Sequence, residues 1–182
     1  MVTCIYGASS EQIDEIYKDK CFSLGKKLAE RGHSLIYGAG CSGLMGASAR
    51  GFKSGGGYVH GVIPTFFKES KIECIFYEAD KLTFTETMAQ RKQIMEDGCS
   101  AFIVTPGGTG TFEEFIQVLS LKKLHRHDKP IAVFNINGFF DTFDKLLDEL
   151  IQKKFLEEDG KTLYKLCSTE DEIIDYIENY KK

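Results

Sequence analysis

Residues 99–115 read CSAFIVTPGGTGTFEEF, and three glycines, three threonines and two adjacent acids crowd into the last eleven positions. The run 101–104, Ala-Phe-Ile-Val, is apolar at every position, as burial on both faces of a parallel sheet requires. Pro106 and the glycines then turn the chain, and 112–124, FEEFIQVLSLKKL, has the composition of a helix. Strand, tight glycine turn and helix form the unit of an open α/β sheet, whose ligands lie at the carboxyl ends of the strands.

Outward from this unit the same alternation recurs. Strands are read at 2–8, 34–39, 58–64, 72–79, 101–106, 129–136 and 163–168. Helices are read at 17–32, after CSGLMG (41–46), and at 86–97, 112–124, 139–155 and 170–180. Gly32 and Gly98 act as stops, and Thr83-x-x-Glu86 has the spacing of a capping box. The expected fold is a doubly wound, Rossmann-like α/β sandwich, with a mostly parallel sheet of about seven strands and helices on both faces. No repeat, low-complexity tract or linker interrupts the sequence, so residues 1–182 are expected to form a single domain.

Composition narrows the function. A net charge of −4 argues against a general nucleic-acid or anionic-membrane binder, because such partners need a basic field. No apolar run approaches the roughly 20 residues that span a bilayer, and MVTCIYGASS lacks the charged and apolar regions of a secretory leader. The six cysteines (4, 21, 41, 74, 99, 167) are scattered without a C-x-x-C pair. A reduced, cytoplasmic chain with neither a disulfide framework nor a zinc site is therefore expected. The His125-Arg126-His127 run is expected at a solvated helix end, near the C-terminal dipole.

Two glycine loops compete for a ligand. Residues 38–43, GAGCSG, match G-x-G-x-x-G, but the next strand ends in Val62-Ile63-Pro64, with no carboxylate for a ribose diol until Glu69. That disfavours a dinucleotide and leaves either another close-approaching ligand or a plain tight turn. The loop 106–111, PGGTGT, lacks the Lys-Ser/Thr pair of a P-loop, which disfavours a nucleoside triphosphate with magnesium. A nest of backbone N–H groups at a helix start, aided by the hydroxyls of Thr109 and Thr111, suits a single phosphate.

Glu114 then has two readings. Thr111-x-x-Glu114 has capping-box spacing, and on that reading the acid only seals the helix. Alternatively, a carboxylate one turn from a bound phosphate meets the sugar of a nucleoside monophosphate, where it can bind hydroxyls, position water or stabilise an oxocarbenium-like centre. In the preceding helix Met88 and Arg91 share a face and Lys92 turns away, so one cation can reach the same pocket. Arginine is the better anion and leaving-group partner; a solvated cation is the alternative.

Pro106-Gly107-Gly108-Thr109-Gly110-Thr111-Phe112-Glu113-Glu114 and Met88-Ala89-Gln90-Arg91-Lys92 together resemble the P-G-G-x-G-T-x-x-E and M-x-x-R-K motifs of one family. It is the LOG (Lonely Guy) family of cytokinin-activating phosphoribohydrolases, long labelled possible lysine decarboxylases. The likeness runs in order from about residue 3 to 155 and includes YGASS (6–10), YGAGCSGLMG (37–46) and GVIP (61–64). It implies hydrolysis of a nucleoside 5′-monophosphate, AMP or a cytokinin riboside 5′-monophosphate, to free base and ribose 5-phosphate. Arg91 and Glu114 would be the catalytic pair, and Gly107, Gly108, Thr109, Gly110 and Thr111 would hold phosphate and ribose. Met88, Gln90, Lys92, Glu113, Glu69 and Ser120 fall where the family lines its pocket, with Ser9 and Gly40 at neighbouring strand ends. The resemblance further implies no metal or organic cofactor, a small-molecule nucleotide as partner, and a homodimer.

Ala89 stands where the family usually has His, Thr109 where it has Tyr, and Gly38-Ala39-Gly40 where it has three glycines. These departures leave the pair intact and open the base preference. The decarboxylase label finds no lysine in a pyridoxal-phosphate context. The rival reading is a non-enzymatic nucleotide or molybdenum-cofactor carrier of the same fold.

Overall fold

Apolar strands must be covered on both sides, and the chain does this by crossing from one face of the sheet to the other. The computed structural model describes residues 1–70 and 74–181, with the side chains of Glu69 and Ser70 left out. Its elements are β1 (Val2–Tyr6), α1 (Glu15–Glu30), β2 (Ser34–Tyr37), α2 (Gly43–Ser54), β3 (Val59–Pro64), α3 (Phe66–Ser70) and β4 (Lys81–Thr85). The second half gives α4 (Met88–Gly98), β5 (Ala101–Val104), α5 (Thr109–Lys123), β6 (Ile131–Phe134), α6 (Asp141–Gln152), β7 (Lys165–Cys167) and α7 (Glu170–Glu178). Short 3₁₀ turns lie at Ile136–Gly138 and Glu158–Leu163.

The seven strands form one sheet in the order β4-β3-β2-β1-β5-β6-β7, and every pairing is parallel. Alternate side chains of β1 feed opposite cores. Ile5 joins Leu24, Leu28, Phe52, Ile173 and Ile177 from α1, α2 and α7. Cys4 and Tyr6 join Met95, Phe115, Val118 and Leu147 from α4, α5 and α6. This is the Rossmann-like α/β arrangement expected from the sequence.

Three local expectations are corrected. The strand expected over 72–79 instead lies at Lys81–Thr85; residues 71–73 fall outside the described ones, and Ile75 makes only an isolated bridge to Gly40. β4 is an edge strand with a mixed, half-exposed sequence, KLTFT, so it lacks the apolar run that marks its neighbours. Thr83 consequently sits inside that strand. The cap of α4 is Thr87, whose hydroxyl accepts from Gln90 N at 3.1 Å.

The second correction concerns cysteine. Cys41 and Cys74 form a disulfide, with Cα atoms 5.3 Å apart and a sequence separation of 33. Spacing gave no sign of it, because the two meet through backbone pairing. Cys41 N donates to Cys74 O at 2.8 Å, and Phe76 N to Ala39 O at 2.9 Å. The other four cysteines are buried thiols, so the cysteine argument for a reduced compartment falls. Among the described residues no helix is long and apolar enough to cross a membrane.

The third concerns His127, which is half-buried rather than solvated. Its Nε2 lies 2.9 Å from Val118 O, and its Nδ1 accepts from Lys129 N at 3.2 Å. Only the neutral Nε2–H tautomer satisfies both. Burial, more than any neighbour, holds its pKa below the ordinary histidine value.

Two outcomes are expected. Reducing the disulfide, or Cys74→Ser, removes a loop constraint worth about 3–4 kcal/mol on chain-entropy grounds and lowers Tm by about 10 °C; equal Tm values with and without dithiothreitol would refute this. A histidine with a depressed pKa is neutral in the folded chain while the unfolded chain takes up a proton below about pH 6.5. Stability from this site is therefore full at neutral pH and falls as pH drops below that value. Tm should decline between about pH 7 and pH 5, less steeply in His127→Gln.

Candidate functional site

β1 lies between β2 and β5, and it is there that the direction of chain crossing reverses. The loops leaving β1 and β5 diverge at such a point and open a crevice at the strands' carboxyl ends. The peptide of Ala8 ties three of these loops together. Its N–H donates to Pro106 O at 3.1 Å, and its carbonyl accepts from Leu44 N at 2.9 Å and Met45 N at 3.2 Å.

That arrangement separates the two glycine loops. At α2 the first-turn N–H groups are taken from within: Leu44 and Met45 by Ala8, and Gly43 by Glu11 Oε1 at 3.2 Å. The Ser42 hydroxyl first, and then the Gly43 amide, hold the Glu11 carboxyl below its ordinary pKa. A pyrophosphate arriving at α2 would find its donors already engaged. α5 differs: its N-cap is Gly108, no side chain caps it, and its first turn holds no acid. An uncapped helix start made of Thr109, Gly110 and Thr111 suits an anion by both dipole and hydrogen bond. Gly107 is needed there because a Cβ would strike the Thr111 side chain.

The helix start also decides how Glu114 is used. Thr111 is the third helical residue of α5, not its cap, and Glu114 lies in the second turn. The capping-box reading is therefore corrected. Glu114 is 9% exposed and meets Arg91, 7% exposed, with Nη1 to Oε1 at 3.4 Å. Arg91 also donates Nε to Val62 O, within β3, at 3.2 Å. The guanidinium lies against Gly38, where an added Cβ would come within 2.8 Å of Cζ and closer still to Nη2. Removing a charged pair from water is costly unless each member is paired and hydrogen-bonded. Flanking contacts fix the two helices in register: Lys92 Nζ bonds Gln117 Oε1 at 2.6 Å and also Glu113, while Gln117 reaches Glu96.

A cleft of 320 Å³ surrounds the pair, lined by Ser9, Met88, Arg91, Gly108, Thr109, Gly110, Thr111, Glu113 and Glu114 among others. Gly107 lines an adjoining cavity instead. Four expected site residues lie elsewhere. Gln90 turns its amide oxygen back to Glu86 N at 2.9 Å. Lys92 is occupied between α4 and α5. Gly40 pairs with Ile75, and Ser120 is an exposed residue further along α5 that does not line the cleft. The side chain of Glu69 falls outside the described residues. The sequence reading missed Gly38, Ala8 and Ser10 as site-building residues, although all three stand in motifs it quoted. It also missed Met45 and the Val62 carbonyl, and nothing in their residue types marks them.

Comparison with known proteins bears on the family and the fold. The family model described as "Possible lysine decarboxylase" matches residues 45–177. The chain is 33% identical to cytokinin riboside 5′-monophosphate phosphoribohydrolase LOG of Oryza sativa subsp. japonica, over 97% of this chain and 72% of that one. It is 31% identical to the LOG2 enzyme of the same name from Arabidopsis thaliana, over 97% and 82%. Among solved structures, the molybdenum cofactor carrier protein of Chlamydomonas reinhardtii shares the fold, with a TM-score of 0.74, 21% identity, and coverage of 97% of this chain and 95% of that one. A molybdenum cofactor binding protein of Rippkaea orientalis does so with a TM-score of 0.73, 20% identity, and coverage of 97% and 94%. At such identities these two speak to the fold alone. With the family model covering most of the chain and relatives matching nearly all of it, the chain belongs to the LOG family, the possible lysine decarboxylases.

Proposed function

We propose that the chain hydrolyses the N-glycosidic bond of a nucleoside 5′-monophosphate, AMP or a cytokinin riboside 5′-monophosphate, to free base and ribose 5-phosphate. The observation that carries this reading is the buried Arg91–Glu114 contact beside an uncapped helix start. The phosphate docks on the first turn of α5, and this remote binding orients the sugar toward Glu114. Glu114 engages the ribose hydroxyls and the positive charge that grows at the anomeric carbon, or the water that attacks it. Water's hydroxyl goes to that carbon, its proton ends on the departing base, and Arg91 offsets the charge on that base.

A guanidinium carries five N–H donors, of which Val62 and Glu114 take one each. The relatives named above support the reaction class; the preferred base is open.

Purified protein incubated with AMP or isopentenyladenosine monophosphate should release free base, followed by chromatography. Glu114→Gln and Arg91→Ala should each lower the rate by about 10²–10⁴-fold while circular dichroism stays native. Nucleotide binding without release would sink the enzyme reading and favour a carrier. Gly38→Ala should cost about 1–3 kcal/mol in stability yet lose most of the activity, because the new methyl displaces the guanidinium. Full activity in that variant would show that the position of Arg91 is not critical.

A further inference from the structure

The cleft that holds Arg91 and Glu114 does not end at the glycine loop. Ala8, Ser10 and Gly108 form a shared wall, beyond which a second cavity of 380 Å³ opens. Its far side is aromatic. Tyr17 of α1 and Phe139, just after β6, meet edge-on with centroids 6.5 Å apart and planes at 76°. Phe139 remains 40% exposed although it also packs on Phe112 and Phe140. Gln12 lines the same space and supplies both an amide donor and an acceptor. Among the described residues no lysine or arginine lines it, while Asp14 does. The cavity is thus built for a flat, neutral group with a polar edge, and poorly suited to another phosphate.

A nucleoside monophosphate does not need this space. With its phosphate on the loop and its sugar toward Glu114, one phosphoryl oxygen is left on the side of the second cavity. We infer that this cavity takes a planar ring esterified to that phosphate, so that the site accepts nucleoside 5′-phosphodiesters as well as monoesters. The inference rests on the phosphate placement proposed above. One bridging phosphorus is enough, because Gly108 borders both spaces. The ring gains apolar burial and edge-to-face contacts with Tyr17 and Phe139.

The methyl and phenyl esters of AMP isolate the effect, since they carry equal charge and differ only in the ring. Dissociation constants for AMP and both esters are measured by calorimetry in the wild type, with Glu114→Gln as the control for turnover. The phenyl ester should bind about tenfold more tightly than the methyl ester. Phe139→Ala should erase that advantage and shift AMP less than about twofold. Equal affinity of the two esters in the wild type overturns the inference, and this comparison stands even if Phe139→Ala fails to fold. Equal weakening of AMP and phenyl ester in Phe139→Ala also overturns it, since the cavity would then hold part of AMP itself. If neither AMP nor its esters bind, the phosphate placement fails first and takes this inference with it.

Discussion

The backbone of one residue, Ala8, sets what the rest of the site can be. By accepting from Leu44 and Met45 it seals the start of α2, and by donating to Pro106 it fixes the loop before α5. The two helix starts are then unequal, although both are rich in glycine. A helix exposes orphan N–H groups at its start, and they must be satisfied from within the chain or by a ligand. Here α2 takes the first course and α5 keeps the second available. The acidic overall charge does not conflict with an anion site, because the attraction is local to one helical turn.

Around that start the chain places a buried ion pair drawn from two helices and steadied by β3 and the residue after β2. Such pairs rarely add stability in proportion to their desolvation cost. The costs are visible in the packing: Gly38 gives up its side chain to make room for a guanidinium, and Lys92, Gln117 and Glu96 hold α4 and α5 together. Structure that maintains a desolvated charge pair beside an open anion site is the kind of arrangement in which function is retained at some expense of stability.

Much of this was legible in the sequence, and for physical reasons. Ala101–Val104 and Ile131–Phe134 are apolar at every position because both faces of a central parallel strand are covered. The glycine-loop and Met-x-x-Arg motifs are local, so the residues they contribute to the cleft could be read directly. What could not be read depends on tertiary neighbours. β4 hides because an edge strand need not be apolar. Glu114 reads equally well as a cap until the helix is seen to begin at Thr109. Gln90 and Lys92 sit in the right motif yet bond elsewhere, and Cys41 finds Cys74 through a backbone pairing that leaves no trace in spacing.

The Cys41–Cys74 bond closes a covalent ring around α2, β3 and α3. The Val62 carbonyl that anchors Arg91 lies inside that ring. A protease that cuts the backbone once within the ring releases no fragment. Both parts stay joined through the disulfide, so a nicked chain would run as one species until a reductant separates it.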